Sequence, residues 1–235
     1  MRVTFILAMC LLMGLVAGVQ GQLSLHEQEM ISLAAGNYTH IMAGDSITRM
    51  WYVQNRPSWD KYCGRFGVFN AGVGGNRIWD LSVRIVGNTP GGSMLDVFKG
   101  QSGGLCPEVF AYMIGINNLN LTGNGAQLPQ VPTLVDGIIG IQETVHEACP
   151  DTRVRVIGLI PNVYSNRRLC LHEINKALLL HYGLGHRDSL SAYVHIGDQL
   201  EIDTGERDPA QYTDGTHLVV DVGYESIGPV VRALW

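Results

Sequence analysis

Five short apolar runs, each separated from the next by a longer amphipathic stretch, constrain this chain more than any other feature. They are Tyr38 to Ala43, Val68 to Asn70, Val109 to Ile114, Val154 to Ile160 and Ala192 to Ile196. The first four end in turns bearing glycine, proline or asparagine, and the segments between are long enough for crossover helices. A strand that reaches the next through a helix lies parallel to it, and a parallel sheet must be covered on both faces. The pattern predicts an α/β fold: a parallel sheet between two layers of helices.

Apolar residues at helical spacing mark the crossovers. Ile47, Met50 and Trp51 follow the first run, and Leu134, Ile138, Ile141 and Val145 precede Cys149 and Pro150. Further helices are expected from about Arg167 through Leu180 and from Val222 to Leu234. The stretch from Gly87 to Gly104, rich in Gly, Ser and Pro, reads as a surface insertion. No repeat, low-complexity tract or linker divides the chain, and 235 residues at 46% hydrophobic content are enough for one sizeable core. Net charge is −5 with three lysines in all, and no basic run offers a surface for a phosphate backbone, so no nucleic-acid partner is expected.

The chain opens with Met1-Arg2-Val3, continues apolar through Val19 and exits through small residues around Gly18 to Gly21. One positive charge, an apolar run and a small-residue exit make a secretory leader over residues 1–21, cleaved near Gly21 or Gln22, with a mature, secreted domain over 22–235. The alternative is an uncleaved anchor, because the run approaches the ~20 residues that span a bilayer. No second apolar stretch of that length follows, so stable membrane insertion is not expected once the leader is removed. Of the cysteines outside the leader, Cys63, Cys106, Cys149 and Cys170, any of three complete pairings is open on composition. Cys63, Cys106 and Cys149 each precede a strand while Cys170 follows strand four, so a Cys149 to Cys170 bond is not expected. Asn37-Tyr38-Thr39 and Asn120-Leu121-Thr122 are possible glycosylation sequons at Asn37 and Asn120.

Ligands of open parallel sheets bind beyond the carboxyl ends of the strands. Ser46 follows strand one, Gly75 strand two and Asn117 strand three, while Asp214 and His217 lie just before the last helix. Ser46 sits where strand turns to helix, so its N–H is among the unpaired donors of the helix N-terminus; a simple N-cap is the other reading of that serine. A serine hydroxyl needs a base that titrates near neutrality, and an imidazole needs a carboxylate to hold its tautomer, which Asp214 at three residues before His217 can do. Asn117 can offer an amide N–H, and Gly75 an unobstructed backbone N–H, to developing negative charge. Asp45, between Gly44 and Ser46, is expected to fix the turn by bonding local backbone. Trp51, Trp59 and Trp79 could line a sugar or acyl site, but core packing or partial burial is the expectation for them.

Gly44-Asp45-Ser46, the glycine block ending in Gly75, Gly115-Ile116-Asn117 and Asp214-Gly215-Thr216-His217 resemble, in order, the four blocks of the GDSL/SGNH hydrolase family. Within it, Gly115-Ile116-Asn117-Asn118, Gly158-Leu159-Ile160-Pro161, and His217-Leu218 with Gly223-Tyr224 resemble the catalytic subunits of the intracellular platelet-activating-factor acetylhydrolases. The resemblance implies a three-layer α/β/α sandwich with a flavodoxin-like parallel five-stranded sheet. It implies Ser46 as nucleophile, His217 as base and Asp214 as its orienter, with an oxyanion hole made by the Ser46 and Gly75 N–H groups and the Asn117 amide. Asn118 replaces the aspartate common at that place in the wider superfamily, and the acetylhydrolase group shares the change. Those acetylhydrolases are cytosolic, so their physiological substrate and partners do not transfer to a chain with a leader.

There is no Gly-x-Ser-x-Gly elbow, Walker loop, His-Glu-x-x-His or Cys-x-x-Cys, and neither a cofactor nor a metal is implied. The expected activity is a serine esterase that cleaves short, above all acetyl, esters of small substrates through an acyl-enzyme. The alternatives are a lysophospholipase or thioesterase with the same parts, or a catalytically silent carbohydrate-binding or interaction protein on this fold. Oligomeric state is left open by the sequence.

Overall fold

The five apolar runs form one parallel sheet in the order β2-β1-β3-β4-β5. The strands are β1 (His40–Gly44), β2 (Val68–Gly72), β3 (Val109–Met113), β4 (Arg153–Ile157) and β5 (Ser191–Val194). The computed structural model describes residues 24–87, 91–119, 128–163, 165–185, 190–201 and 207–235. The expected leader and the Asn120 sequon lie outside these residues; Asn37 is exposed in the loop before β1.

Burial explains the strand sequences. Every residue of the central strands β1 and β3 is buried, which is why both read as unbroken apolar runs, whereas β4 alternates and the edge strand β5 is largely half-buried. The strands are shorter than the apolar runs at some ends: Tyr38 lies ahead of β1 and Gly158 to Ile160 beyond β4. There the apolar side chains of Leu159 and Ile160 fill the core from a loop rather than a ladder.

The helices are α1 (Leu25–Ala35), α2 (Ser46–Gln54), α3 (Arg56–Tyr62), α4 (Ile78–Val86), α5 (Met94–Gln101), α6 (Val131–Ala148), α7 (Ser165–Leu180) and α8 (Gly223–Arg232). They divide into two packed groups, α2 with α3 and α8, and α1 with α4, α5, α6 and α7. The chain leaves β1 toward β2 and afterwards runs the other way through β3, β4 and β5. Right-handed crossovers therefore put the two groups on opposite faces and complete the three-layer sandwich. The same reversal makes a switch point between the ends of β1 and β3, the crevice in which such sheets hold ligands.

Two expectations are corrected. The stretch from Gly87 to Gly104 is not simply a surface insertion. Ser93 accepts a hydrogen bond from the Asp96 N–H and so caps α5, whose Met94, Leu95 and Phe98 are buried against the core. Trp51 and Trp59 are core residues, stacked edge to face, but Trp79 is 73% exposed because it leaves the buried stripe of Ile78, Leu81 and Ile85 on α4.

Cys106 and Cys149, just ahead of β3 and β4, form a disulfide with Cα atoms 5.7 Å apart. Cys63 and Cys170 are free thiols and both are buried, so the bond between Cys149 and Cys170 is absent, as expected. Among the described residues no helix is long and apolar enough to cross a membrane.

Candidate active site

β1 ends at Gly44, and the lack of a side chain there is a steric requirement. A Cβ would lie 2.3 Å from Thr48 Oγ1 and 2.7 Å from the Met113 carbonyl, so only glycine lets α2 start this close to β3. Asp45 then caps α2 by accepting from the Ile47 N–H at 2.9 Å, and Ser46 is the first helical residue rather than the cap. α2 is anchored from the far end of the chain. Tyr224 on α8 donates its hydroxyl to the Ile47 carbonyl at 2.8 Å and stacks on Trp51.

The loop between β5 and α8 brings the other two groups to this point. Asp214 Oδ1 accepts from the N–H groups of Thr216 and His217 at 2.6 and 2.8 Å, which closes the turn. The loop is pinned by the Val163 N–H, which donates to the Gly215 carbonyl at 3.0 Å, and by the Asn162 amide on Thr216 Oγ1 at 2.9 Å. The second Asp214 oxygen lies 2.8 Å from His217 Nδ1. A carboxylate can only accept, so Nδ1 carries the proton and Nε2 keeps a lone pair, 2.9 Å from Ser46 Oγ. Burial works to raise the Asp214 pKa, but the bonds from His217 and Thr216 outweigh it and hold the carboxyl at about 2. Asp214, His217 and Ser46 thus form one hydrogen-bonded line.

The glycine block after β2 passes beside the serine. A Cβ on Gly74 would lie 3.9 Å from Ser46 Cβ, and Gly75 follows at φ +78°, a conformation that favours glycine. Both are exposed. Asn117, after β3, donates from Nδ2 to the Asn76 carbonyl at 3.0 Å and lies 3.5 Å from Asp45 Oδ2, a contact too long to bind firmly. Its neighbour Asn118 does different work, accepting from the Ile78 N–H at 3.1 Å to tie down the start of α4. All the site residues named from sequence, Ser46, Gly75, Asn117, Asp214 and His217, therefore come to the carboxyl edge of the sheet.

Asp45 bonds local backbone as expected, but its burial escapes the sequence reading, and so do the roles of Asn76 and Arg84. Asp45 is fully enclosed, and burial pushes its carboxyl up to about 7. Asn76 receives Asn117, and Arg84 in turn holds the Asn76 side chain. The guanidinium of Arg84 had a signal, a charge on the otherwise apolar stripe of a helix, but that helix carried no expected site. A separate groove of about 700 Å³ lies between α7 and β5, lined by Leu159, Pro161, His172, Tyr193 and His195 among others. None of the residues of the Ser46 line borders it. Among the described residues no three His, Cys, Asp or Glu side chains are grouped to hold a metal ion.

No family model and no curated protein sequence matches the chain. Solved structures do. One described as a candidate platelet activating factor from Streptococcus pneumonia has a TM-score of 0.65 at 17% identity, with 89% of this chain and 92% of that one covered. A GDSL-like lipase from Bacteroides thetaiotaomicron has a TM-score of 0.63 at 12% identity, over 89% of this chain and 96% of its own. An acetyl xylan esterase has a TM-score of 0.57 at 15% identity, over 83% and 98%. At such identities a likeness carries the fold and not the chemistry. With its sheet order, its helix layers and these structural neighbours, the chain has the SGNH/GDSL hydrolase fold.

Proposed function

We propose that this protein is a secreted serine esterase that removes short acyl groups, acetyl above all, from small substrates. The observation that carries the reading is the line from Asp214 through His217 to Ser46, with bonds of 2.8 and 2.9 Å in the tautomer that leaves Nε2 free.

In this reading Ser46 Oγ attacks the ester carbonyl while His217 Nε2 takes the hydroxyl proton, and Asp214 stabilises the imidazolium. The carbonyl oxygen becomes an oxyanion, received by the N–H groups of Ser46 and Gly75 and by Asn117 Nδ2. Collapse breaks the bond to the alcohol, which leaves with the proton from His217. Water then repeats the sequence on the acyl-enzyme, with His217 again as base, and the acid departs. The amide of Asn117 reaches an oxyanion by giving up its long contact to Asp45, not its bond to Asn76.

The preference for short acyl groups is supported by the open setting of Gly74 and Gly75 beside Ser46. The names of the lipase and acetyl xylan esterase among the similar structures agree with ester chemistry. Secretion rests on the leader sequence alone. A hydrolysis screen over p-nitrophenyl esters of increasing acyl length, acetylated sugars and lysophospholipids tests the proposal. Acyl chains of two to four carbons should have higher kcat/KM than those of ten or more. A steady rise with length, with activation above the micelle concentration, would replace it by the lysophospholipase reading.

A further inference from the structure

The oxyanion side of the site is wired to the first helix of the described chain. Arg84, on the buried face of α4, has a side chain only 4% exposed. Its Nη2 donates to Glu29 Oε2 at 2.6 Å and to the Ala71 carbonyl at 2.9 Å. Its Nη1 donates to Asn76 Oδ1 at 2.8 Å, and its Nε reaches His26 Nδ1 at 3.4 Å. His26 Nε2, 3.2 Å from the Gly92 carbonyl, is the protonated nitrogen, which leaves Nδ1 as the acceptor.

Enclosing a guanidinium is costly, and a planar fork is used where several acceptors must be held at fixed angles. Here the acceptors converge on one loop. Ala71 is the penultimate residue of β2, and Asn76 closes the glycine block, with its N–H on the Val73 carbonyl at 3.2 Å. Between them Gly74 and Gly75 have no side chains to pack, so their peptides are oriented by what grips the loop around them, including the Val73 N–H on the Gly44 carbonyl at 3.1 Å. The Asn76 carbonyl is also the acceptor that turns Asn117.

We propose that Arg84 is a positioning residue for the oxyanion hole. Through Asn76 it fixes the peptide at Gly75 and the amide of Asn117, and Glu29 and His26 on α1 fix Arg84 in turn. The inference rests on the esterase reading and extends the catalytic support to a helix that contributes no reacting group.

A double-mutant cycle tests it. Asn76→Ala removes the oxygen held by Arg84 but keeps the backbone carbonyl that meets Asn117, and Arg84 retains Glu29 and Ala71. With p-nitrophenyl acetate, Asn76→Ala should lower kcat tenfold or more with KM changed less than twofold. Combined with Asn117→Ala, the loss should be at least threefold smaller than the product of the two single losses. Arg84→Lys, which keeps a charge near Glu29 without the fork, should lower kcat in the same way and serves if Asn76→Ala does not fold. A lowered melting temperature with unchanged kcat in both variants, or fully multiplicative losses, would overturn the proposal. A wild-type protein that neither hydrolyses the ester nor is labelled at Ser46 by a fluorophosphonate would overturn the esterase reading itself, a separate outcome.

Discussion

His217 Nε2 lies 2.9 Å from Ser46 Oγ, although 171 residues of chain separate the two. Ser46 is half-buried, and its hydroxyl has no other hydrogen bond described, so removing it should leave packing intact. Ser46→Ala is expected to lower turnover of p-nitrophenyl acetate by about four orders of magnitude or more with an unchanged circular dichroism spectrum. Equal turnover by the folded variant would refute the mechanism.

Asp214 is already ionised wherever the protein is assayed, because its pKa is held at about 2. The pH dependence of kcat/KM should therefore show no loss of activity from protonation of Asp214 above pH 4. Asp214→Asn reverses the demand on Nδ1 and should lower kcat by about a hundredfold or more. The stability that the depressed Asp214 pKa contributes is present above its ordinary value and fades as pH falls through about 2. The side chain is 55% exposed, so that contribution should be small.

Asp45 has the opposite sign. Its folded pKa of about 7 exceeds the ordinary 3.8, so the folded chain holds the proton more tightly than the unfolded one. Stability should be highest at low pH on this account and decline from about pH 4 to 7, by up to about 1.4 kcal/mol per pH unit. Asp45→Asn keeps an acceptor for the Ile47 N–H and should flatten the decline. Urea unfolding of both proteins at pH 5 and pH 8 measures it, and equal slopes would contradict the assignment.

The Cys106–Cys149 bond joins the entry ends of β3 and β4, one sheet length from the serine. It closes a loop of 43 residues, for which chain entropy allows at most about 4 kcal/mol. Reduction should lower the melting temperature while leaving kcat at 25 °C unchanged. A loss of activity parallel to thiol release, in protein still folded, would show that the bond shapes the site.

Sequence made the strands legible because central parallel strands must be apolar on both faces, Ser46 because it stands where strand turns to helix, and Asp214 with His217 because a carboxylate three residues before a histidine can reach its ring. α5 was harder to see. Its cap at Ser93 and its apolar Met94, Leu95 and Phe98 are in the sequence, but the glycines around them outweigh so short a pattern. α1 begins with a capping box at Ser24 and Glu27, hidden by the leader beside it. For Asp45 the turn contact was legible and the burial was not, and for Arg84 the charge on an apolar stripe was legible and its partners were not: what encloses a charge is set by what packs over it, here α8 and α1.

That capping box bears on where a working version of the protein can start. Ser24 accepts from the Glu27 N–H at 3.2 Å and gives its own N–H to the Glu27 carboxylate at 2.8 Å. The expected cut near Gly21 or Gln22 falls upstream of Ser24, so the released chain keeps both partners of the box. A recombinant chain begun at residue 24 keeps them, whereas one begun past Glu29 discards the carboxylate that accepts from Arg84 Nη2 at 2.6 Å. Trimming the N-terminus as dispensable would thus yield a protein with every reacting group in place and a misaligned loop beside them.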